Sequence, residues 1–285
     1  MVARWGDAFC VRAWRHAGWP TLTARGMGVG EVAVSEPAEA GSGWEYASEV
    51  QVGFVGVDGV GQLGSLVRYW DEPFERASPA RKFIAFKGQK NFTGDYWAAT
   101  SRDLVGYESW VERDAAMALD FDPAVVALAS QPFRVLWVDG DRDREHTPDY
   151  FARLSDGTGV VVDVWPASLV DEEAAEVFAF TARVCATVGW QFRLVGDLDQ
   201  PFRANLRWLA RYRHPRCHRA SVAEVLREVF AEPQLLFAGA DRVGDRMGVL
   251  PVLYHLLWRH ELTADLVSRP LGGGTIVGLA ARGRL

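Results

Sequence analysis

Three acidic residues in the middle of the chain, Glu112, Asp149 and Asp163, have the types and placement that metal-dependent phosphodiester chemistry requires. Asp149 follows Pro148 at the start of an expected strand, and Asp163 stands inside VVVDVW, an otherwise apolar strand. An ionised carboxylate there is costly unless a cation or a hydrogen-bond donor compensates it. The turn Ser155 to Gly159 (SDGTG) lies between the two aspartates, so both are expected at one end of a hairpin. Such oxygen donors suit Mg²⁺, with Mn²⁺ as a substitute, in a site that retains several waters. Glu112 lies on the helix expected before these strands and would complete the cluster, with Glu108 one turn earlier on the same side. Each acid also has a plainer reading: a turn residue at Asp149, a solvated helix face at Glu108 and Glu112, a strand-end residue with an arginine partner at Asp163. Their joint placement on a helix and two adjacent strands is what favours a shared site.

The elements that must position these residues follow from the apolar spacing. Tyr107, Trp110, Val111, Ala115, Ala118 and Leu119 recur at helical intervals, and Asp120 to Pro123 supplies the stop. Phe133 to Val138 and Asp149 to Leu154 read as a hairpin across the acidic loop DGDRDRE, and Val160 to Trp165 as the next strand. Glu172 to Val188 reads as a helix ended by Gly189, and Trp190 to Val195 as a strand. Residues 104–195 therefore give helix, strand, strand, strand, helix, strand. Before them, VQVGFVGV and LVRYW read as two short strands around a Gly-rich turn.

Beyond residue 200 the pattern becomes helical and basic. Helices are expected from Phe202 to Tyr212, from a Ser221–Glu224 capping box through Phe230, and from Leu250 to His260. ELTADL and then RPLGGGTIV read as a short strand pair around three glycines, which gives a winged-helix outline. Residues 201–285 carry thirteen Arg against seven Asp and Glu, whereas the whole chain has a net charge of −6. Arg203, Arg207 and Arg211 line one helix face at i, i+4, i+8, and residues 201–220 contain no acid, which points to phosphate contact or to pairing with the acidic helix at Asp171 to Glu176. His214, Cys217 and His218 lack a second ligand pair at zinc-finger spacing and read as loop residues. The helix LPVLYHLLWRH is too apolar to read base edges, so protein docking is its expected role.

Composition bounds the rest. With 285 residues, 49% hydrophobic and 24% charged, the chain is globular in type, and no run of eighteen apolar residues or signal-like start is present. Three cysteines without CxxC spacing argue against a disulfide framework and for a reducing, cytoplasmic setting. Residues 1–45 lack a sustained period and read as a poorly ordered leader, with Met27 as a later start point. Residues 46–198 and 199–285 are the expected domains. Trp97, Trp110, Trp137, Trp190 and Trp208 fall within patterned elements and are core or interface candidates.

The blocks GYESWVERDAAMALDFDPAVVALASQPF, HTPDYFARLSDGTGVVVDV and VGWQFRLVG, in this order, resemble TnsA-like endonuclease subunits of heteromeric cut-and-paste transposases. The similarity runs from about Arg68 to the end and includes KGQKNF and NLRWLARYRHPR. It implies an α/β fold with a restriction-endonuclease-like PD-(D/E)XK core, a C-terminal winged-helix-like part, and Mg²⁺-dependent cutting of one strand at each transposon end, leaving a 3′-hydroxyl. The family's Ser-x-x-Glu falls on Ser109 and Glu112, with Glu108 in reserve. Its metal aspartate falls on Asp149 and its second acidic position on Asp163, and the carbonyl of Val164 is the implied further ligand. Gln131 matches the Gln-Pro that enters a strand and either supports the active site or caps a turn. Arg203, Arg207, Arg211, Lys87 and Lys90 are the implied DNA contacts. The implied partners are double-stranded DNA at transposon ends, an integrase-type (TnsB-like) transposase and a regulator of the AAA+ ATPase type.

One departure matters. Two residues beyond the strand acid the family pattern has lysine, which helps to orient the attacking water, and here stands Trp165. Either Arg153, Arg193 or Lys87 reaches in from elsewhere, or the chain is a catalytically impaired DNA-binding and assembly subunit of the same machinery. A stand-alone defence nuclease of the same fold is a weaker third reading.

Overall fold

The structure is a computed structural model that describes residues 49–81, 92–166 and 169–280. The expected leader, Lys87 and Lys90 lie outside the described residues.

Two sheets form the body. One has the order β2-β1-β6-β7, from β1 (Gln51–Val55), β2 (Gly61–Ser65), β6 (Phe133–Asp139) and β7 (Arg142–His146), all antiparallel. The other has the order β10-β9-β8-β5, from β5 (Val125–Ser130), β8 (Tyr150–Leu154), β9 (Gly159–Val164) and β10 (Gln191–Val195). There β8 is antiparallel to both β5 and β9, whereas β10 is parallel to β9. All six residues of β9 are buried, and a strand covered on both faces reads as an unbroken apolar run, which is why VVVDVW does not alternate. Val161 and Phe151 pack with Phe54, Phe133, Phe180 and Trp190 on one face, whereas Val160, Val162, Tyr150 and Ala152 pack with Ala115, Leu119 and Val105 on the other. Gly159 has no room for a side chain, because a Cβ would lie 2.8 Å from the rings of Phe151 and Trp190.

The helices cover these faces. After the single turn α1 (Leu66–Tyr69) and a separate hairpin of β3 (Gly94–Ala98) and β4 (Asp103–Tyr107) comes α2 (Trp110–Phe121). Ser109 caps α2 by accepting from the Glu112 N–H at 3.2 Å, and Glu112 reaches back to the N–H of Glu108 at 2.6 Å, a variant of the capping box. At the far end, buried Asp120 accepts from the Tyr96 hydroxyl and from the N–H groups of Ala99 and Thr100, which fastens the β3–β4 hairpin to the helix. The helix α3 (Glu172–Thr187) is capped by Asp171 and covers the opposite face.

The carboxy-terminal part runs α4 (Phe202–Leu209), α5 (Ala220–Val229), β11 (Gln234–Leu235), α6 (Leu236–Val243), α7 (Arg246–Trp258), β12 (Leu262–Ala264) and β13 (Ile276–Leu279). The three strands form a sheet of order β11-β13-β12. Its core is continuous with α2: Phe121 packs against Trp258 with ring centroids 5.0 Å apart, and Ala118 joins the same cluster. Arg207 of α4 grips buried Asp114 of α2 through two bonds, Nε at 2.8 Å and Nη2 at 2.5 Å.

Several expectations are corrected. LVRYW is not a strand: β2 falls in the preceding Gly-rich stretch, and Leu66 and Tyr69 bury their side chains from a helical turn. Tyr107 ends β4, so the helix begins at Trp110. Phe133 to Val138 does not pair with Asp149 to Leu154. The acidic loop instead contains a tight turn with Gly140 at φ 62° and the strand β7, whose charged residues suit an exposed edge. The first strand of the α2-to-β10 succession is therefore β5, and β6–β7 is an insertion that joins the other sheet. Ser221 and Glu224 form no capping box, since α5 starts at Ala220 with no side-chain cap.

The Asp114–Arg207 pair yields a prediction. Asp114 keeps only 4% of its side-chain surface exposed, with Arg113 as a weaker partner at 3.3 Å. Arg207→Leu is expected to destabilise the chain by about 2 kcal/mol in urea unfolding, less than the ~3–5 kcal/mol of a wholly buried broken pair because Arg207 is itself partly exposed. An unchanged urea midpoint would show that the pair contributes nothing.

Candidate functional site

The mouth of the β8–β9 hairpin brings Asp149 and Asp163 onto adjacent strand ends, whereas Glu112 stands on the helix that covers the opposite face. Tyr150 pairs with Val162, so Asp149 and Asp163 are the next residues out on adjacent strands. Asp149 Oδ2 accepts from the Val164 N–H at 2.7 Å, which fixes its carboxylate beside β9. On the other side, the Tyr150 hydroxyl lies 3.1 Å from the Glu112 carbonyl and 3.3 Å from that of Gly106, which pins the start of α2 to the same strand.

Electrostatics record this proximity. Burial, then the charges of Asp163 and Glu112, push the Asp149 carboxyl well above the ordinary aspartate value, against the pull of the Val164 N–H and of Arg81. Burial also raises Glu112, with the charge of Glu108 adding to it and the bonds from Glu108 N–H and Ser109 opposing it. Asp163 is 2% exposed and takes a contact from His146 Nε2 at 2.8 Å. Asp163 shares the β9 face of Val161, toward α3, whereas Glu112 belongs to α2 on the opposite side, and Asp149 at the strand mouth senses both.

Glu108 and Gln131 form the rim. The Glu108 carboxylate accepts from Arg81 and, at 3.3 Å, from Gln131 Nε2. Gln131 is 2% exposed, its N–H donates to the Asp149 carbonyl at 2.8 Å, and its own carbonyl accepts from the Ala80 N–H at 2.7 Å. Its backbone is left-handed, φ 45°, although it precedes Pro132. Such a conformation costs about 1–3 kcal/mol in a non-glycine residue. Its Oε1 is buried with no hydrogen-bond partner, a further ~1–3 kcal/mol.

The lysine substitutes resolve differently. Arg153 binds Glu75, the Glu72 carbonyl and the Gly157 carbonyl at the far end of β8, and Arg193 lies 3.8 Å from Asp122. Arg153 is thereby engaged at the end of β8 away from Asp149. Trp165 is 40% exposed and meets Phe178 edge-on at 5.9 Å, and Phe178 also touches the His146 ring. Sequence reasoning missed Arg81 and His146. Arg81 sits beside Glu108 and lowers the cost of ionising Asp149 and Glu112. The signal for His146 was its place three residues before Asp149, but only the pairing of β7 with β6 brings it to Asp163.

Of the arginine row, Arg207 is committed to Asp114, Arg203 lies 3.3 Å from Asp197, and Arg211 is exposed over the Trp208 ring. Arg207 is therefore a clamp between α2 and α4. Arg216 and Arg219 are exposed nearby. In the same stretch, His214 caps a short turn through the Arg216 N–H.

Whether a divalent cation fits can be judged from the donors. Mutually repelling carboxylates and an orphaned amide oxygen are the chemistry a hard cation satisfies. Among the described residues, however, no three His, Cys, Asp or Glu side chains gather into a ligand set. The acids fit in type, and a cation among them would need neutral oxygens as well. Among the described residues no helix is long and apolar enough to cross a membrane. No protein-family model matches the chain, and no curated protein is detectably similar to it.

Asp149 carries a pH prediction. Because its folded value is raised, its protonated form favours the fold: that contribution is complete below the ordinary aspartate value of ~3.9 and is lost as pH rises through the raised one. Asp149→Asn keeps an acceptor for the Val164 N–H and removes the charge. In metal-free buffer it is expected to raise the melting temperature at pH 7–8, by about 2–4 °C per kcal/mol relieved, with the gain shrinking toward pH 4. A gain independent of pH, or a loss at pH 7, would contradict this account of Asp149.

Proposed function

We propose that the chain is the strand-cleaving endonuclease subunit of a heteromeric transposase, with a PD-(D/E)XK nuclease core and an appended winged-helix-like part. The observation that carries this reading is geometric: Asp149 and Asp163 stand next to one another at the mouth of β8–β9, Asp149 bonds to the Val164 N–H, and Tyr150 ties the same strand to the backbone of Glu112. The connectivity supports it: α2, β5, β8, β9, α3 and β10 follow one another, with β8 antiparallel to its neighbours and β10 parallel to β9. In the carboxy-terminal part, the order helix, strand, helix, helix, strand, strand around β11-β13-β12 supports the winged-helix outline. Its third helix, α7, is buried along most of its length, which favours a scaffolding role over entry into a DNA groove.

In this reading Asp149, Asp163 and the Val164 carbonyl would hold Mg²⁺, and Glu112 would position a second ion or the attacking water. A cation bound there lowers the pKa of its water and polarises the scissile phosphate. Arg81 offsets negative charge at the rim, part of the role the motif lysine would have, and Arg211, Arg216 and Arg219 offer phosphate contacts. The substrate is double-stranded DNA at a transposon end, the partners are an integrase-type transposase and an AAA+ regulator, and the setting is cytoplasmic.

A second reading, a catalytically impaired DNA-binding and assembly subunit, is favoured by Trp165 and by the engagement of Arg153 and Arg193 elsewhere. One experiment separates them. The purified chain with its partner transposase and Mg²⁺ is expected to nick one strand at transposon ends, leaving a 3′-hydroxyl, and Asp149→Ala to reduce nicking at least ~10²-fold. Equal nicking by the variant overturns the active-site assignment. Partner-dependent binding of end DNA without nicking establishes the second reading, and cleavage without any partner points to a stand-alone nuclease.

A further inference from the structure

We infer that the connection between α4 and α5, residues 210–219, is a sequence-independent docking surface for the phosphate backbone of duplex DNA, and that it takes this task in place of α7, the helix it covers. The inference rests on the reading above that the chain acts on DNA, and it says where and how the duplex is held.

The connection lies along α7. Tyr212 packs its ring 4.9 Å from that of Tyr254, and its carbonyl accepts from His255 Nδ1 at 2.7 Å. The His218 ring stands 5.8 Å from that of His255, and the Arg219 guanidinium lies beside Gly248, where a Cβ would come within 3.4 Å of Nη2. Most of α7 is buried, and at its exposed start Arg246 is engaged by Asp241. A helix so enclosed does not enter a groove, and without one the base edges are out of reach. The arginines of the connection are what this side of the molecule presents.

Charge names the occupant. Arg211, Arg216 and Arg219 are exposed, residues 201–220 contain no acid, and among the described residues no carboxylate pairs with any of the three. Their neighbours differ: Arg203, Arg207, Arg227 and Arg246 are each joined to an Asp or Glu. Like charges left together repel, and a polyanion relieves that repulsion without any base contact. The surface is also preorganised. Arg211 stacks over the partly exposed Trp208 ring at 5.1 Å, and a guanidinium held in this way loses less freedom on meeting phosphate. Arg213 turns inward: its Nε donates to the Trp97 carbonyl at 2.6 Å and its guanidinium carbon lies 4.2 Å from the centre of the Tyr96 ring, while the His214 ring lies 4.7 Å from that of Trp97. These contacts bind the connection to the β3–β4 hairpin, which Asp120 fastens to α2. The surface is thereby fixed relative to the helix that carries Glu112.

The test is fluorescence anisotropy of labelled duplexes of two unrelated sequences with the full-length chain in EDTA, across a salt series. Wild type is compared with the triple variant Arg211→Gln, Arg216→Gln, Arg219→Gln and with a control triple, Arg68→Gln, Arg142→Gln, Arg183→Gln, which removes the same charge from exposed sites elsewhere. Wild type is expected to bind both duplexes equally, with affinity falling steeply as salt rises. The first triple is expected to bind at least ~10-fold more weakly at about 0.1 M salt, and the slope of log affinity against log salt to shrink by about 1 for each arginine. If that triple folds poorly, Arg216→Gln alone, expected to lower the slope by about 1, decides. Equal weakening in the control triple, unchanged binding in the first, or a preference between the duplexes that the first triple abolishes overturns the inference. So does the absence of duplex binding by wild type, the result if an acidic protein segment covers the surface instead. Nicking is scored separately. Weaker binding in the first triple without any nicking by wild type and its partner keeps the docking surface and removes the nuclease, whereas nicking with unaltered binding in the triple does the reverse.

Discussion

The carboxyl of Asp149 sits where burial and two neighbouring acids oppose its ionisation, and the surrounding elements hold it there. The Val164 N–H ties it to β9, its own carbonyl receives the Gln131 N–H, and the next residue, Tyr150, bonds to the backbone ahead of and within α2. Hydrogen bonds thus hold Asp149 in a place where its ionisation is disfavoured.

The helix α2 shows how environment sorts chemically identical side chains. Glu112 bonds back to the Glu108 N–H, Asp114 is clasped by Arg207, and Asp120 anchors the β3–β4 hairpin by three bonds. Of the three, Asp114 is compensated by a bonded cation, Asp120 by neutral donors, and Glu112 by backbone and Ser109 bonds with Arg81 nearby. The same helix ends in Phe121 against Trp258 and, through its carbonyl, His260. One element therefore sets the candidate site, the hairpin and the carboxy-terminal part relative to each other.

Much of this was legible in the sequence where periodicity is strong. The bodies of α2, α3 and β9 follow from apolar spacing, and the convergence of Asp149 and Asp163 from the turn between them. What was not legible has physical causes. VVALAS is a short apolar run with small residues and was absorbed into the helix-to-strand passage, although it is β5. RDREH is charged throughout and carries no strand signal, because an exposed edge strand need not bury anything. Missing β7 meant missing His146, and no local pattern reveals that Gln131 is left-handed with an orphaned oxygen. The Ser109–Glu112 spacing is instructive in another way: it marks a capping bond and a candidate site residue at once.

The pairing of β1 with β6 has a consequence for how the chain comes into being. Gln51 lies opposite Leu136, so during synthesis the amino-terminal hairpin must wait, with one edge open, until the segment around residues 133–139 has left the ribosome. Contacts that distant in the chain form slowly, and an open edge invites association with other nascent chains. The contact of His146 with Asp163 requires that the two sheets have come together, so it too depends on this distant pairing.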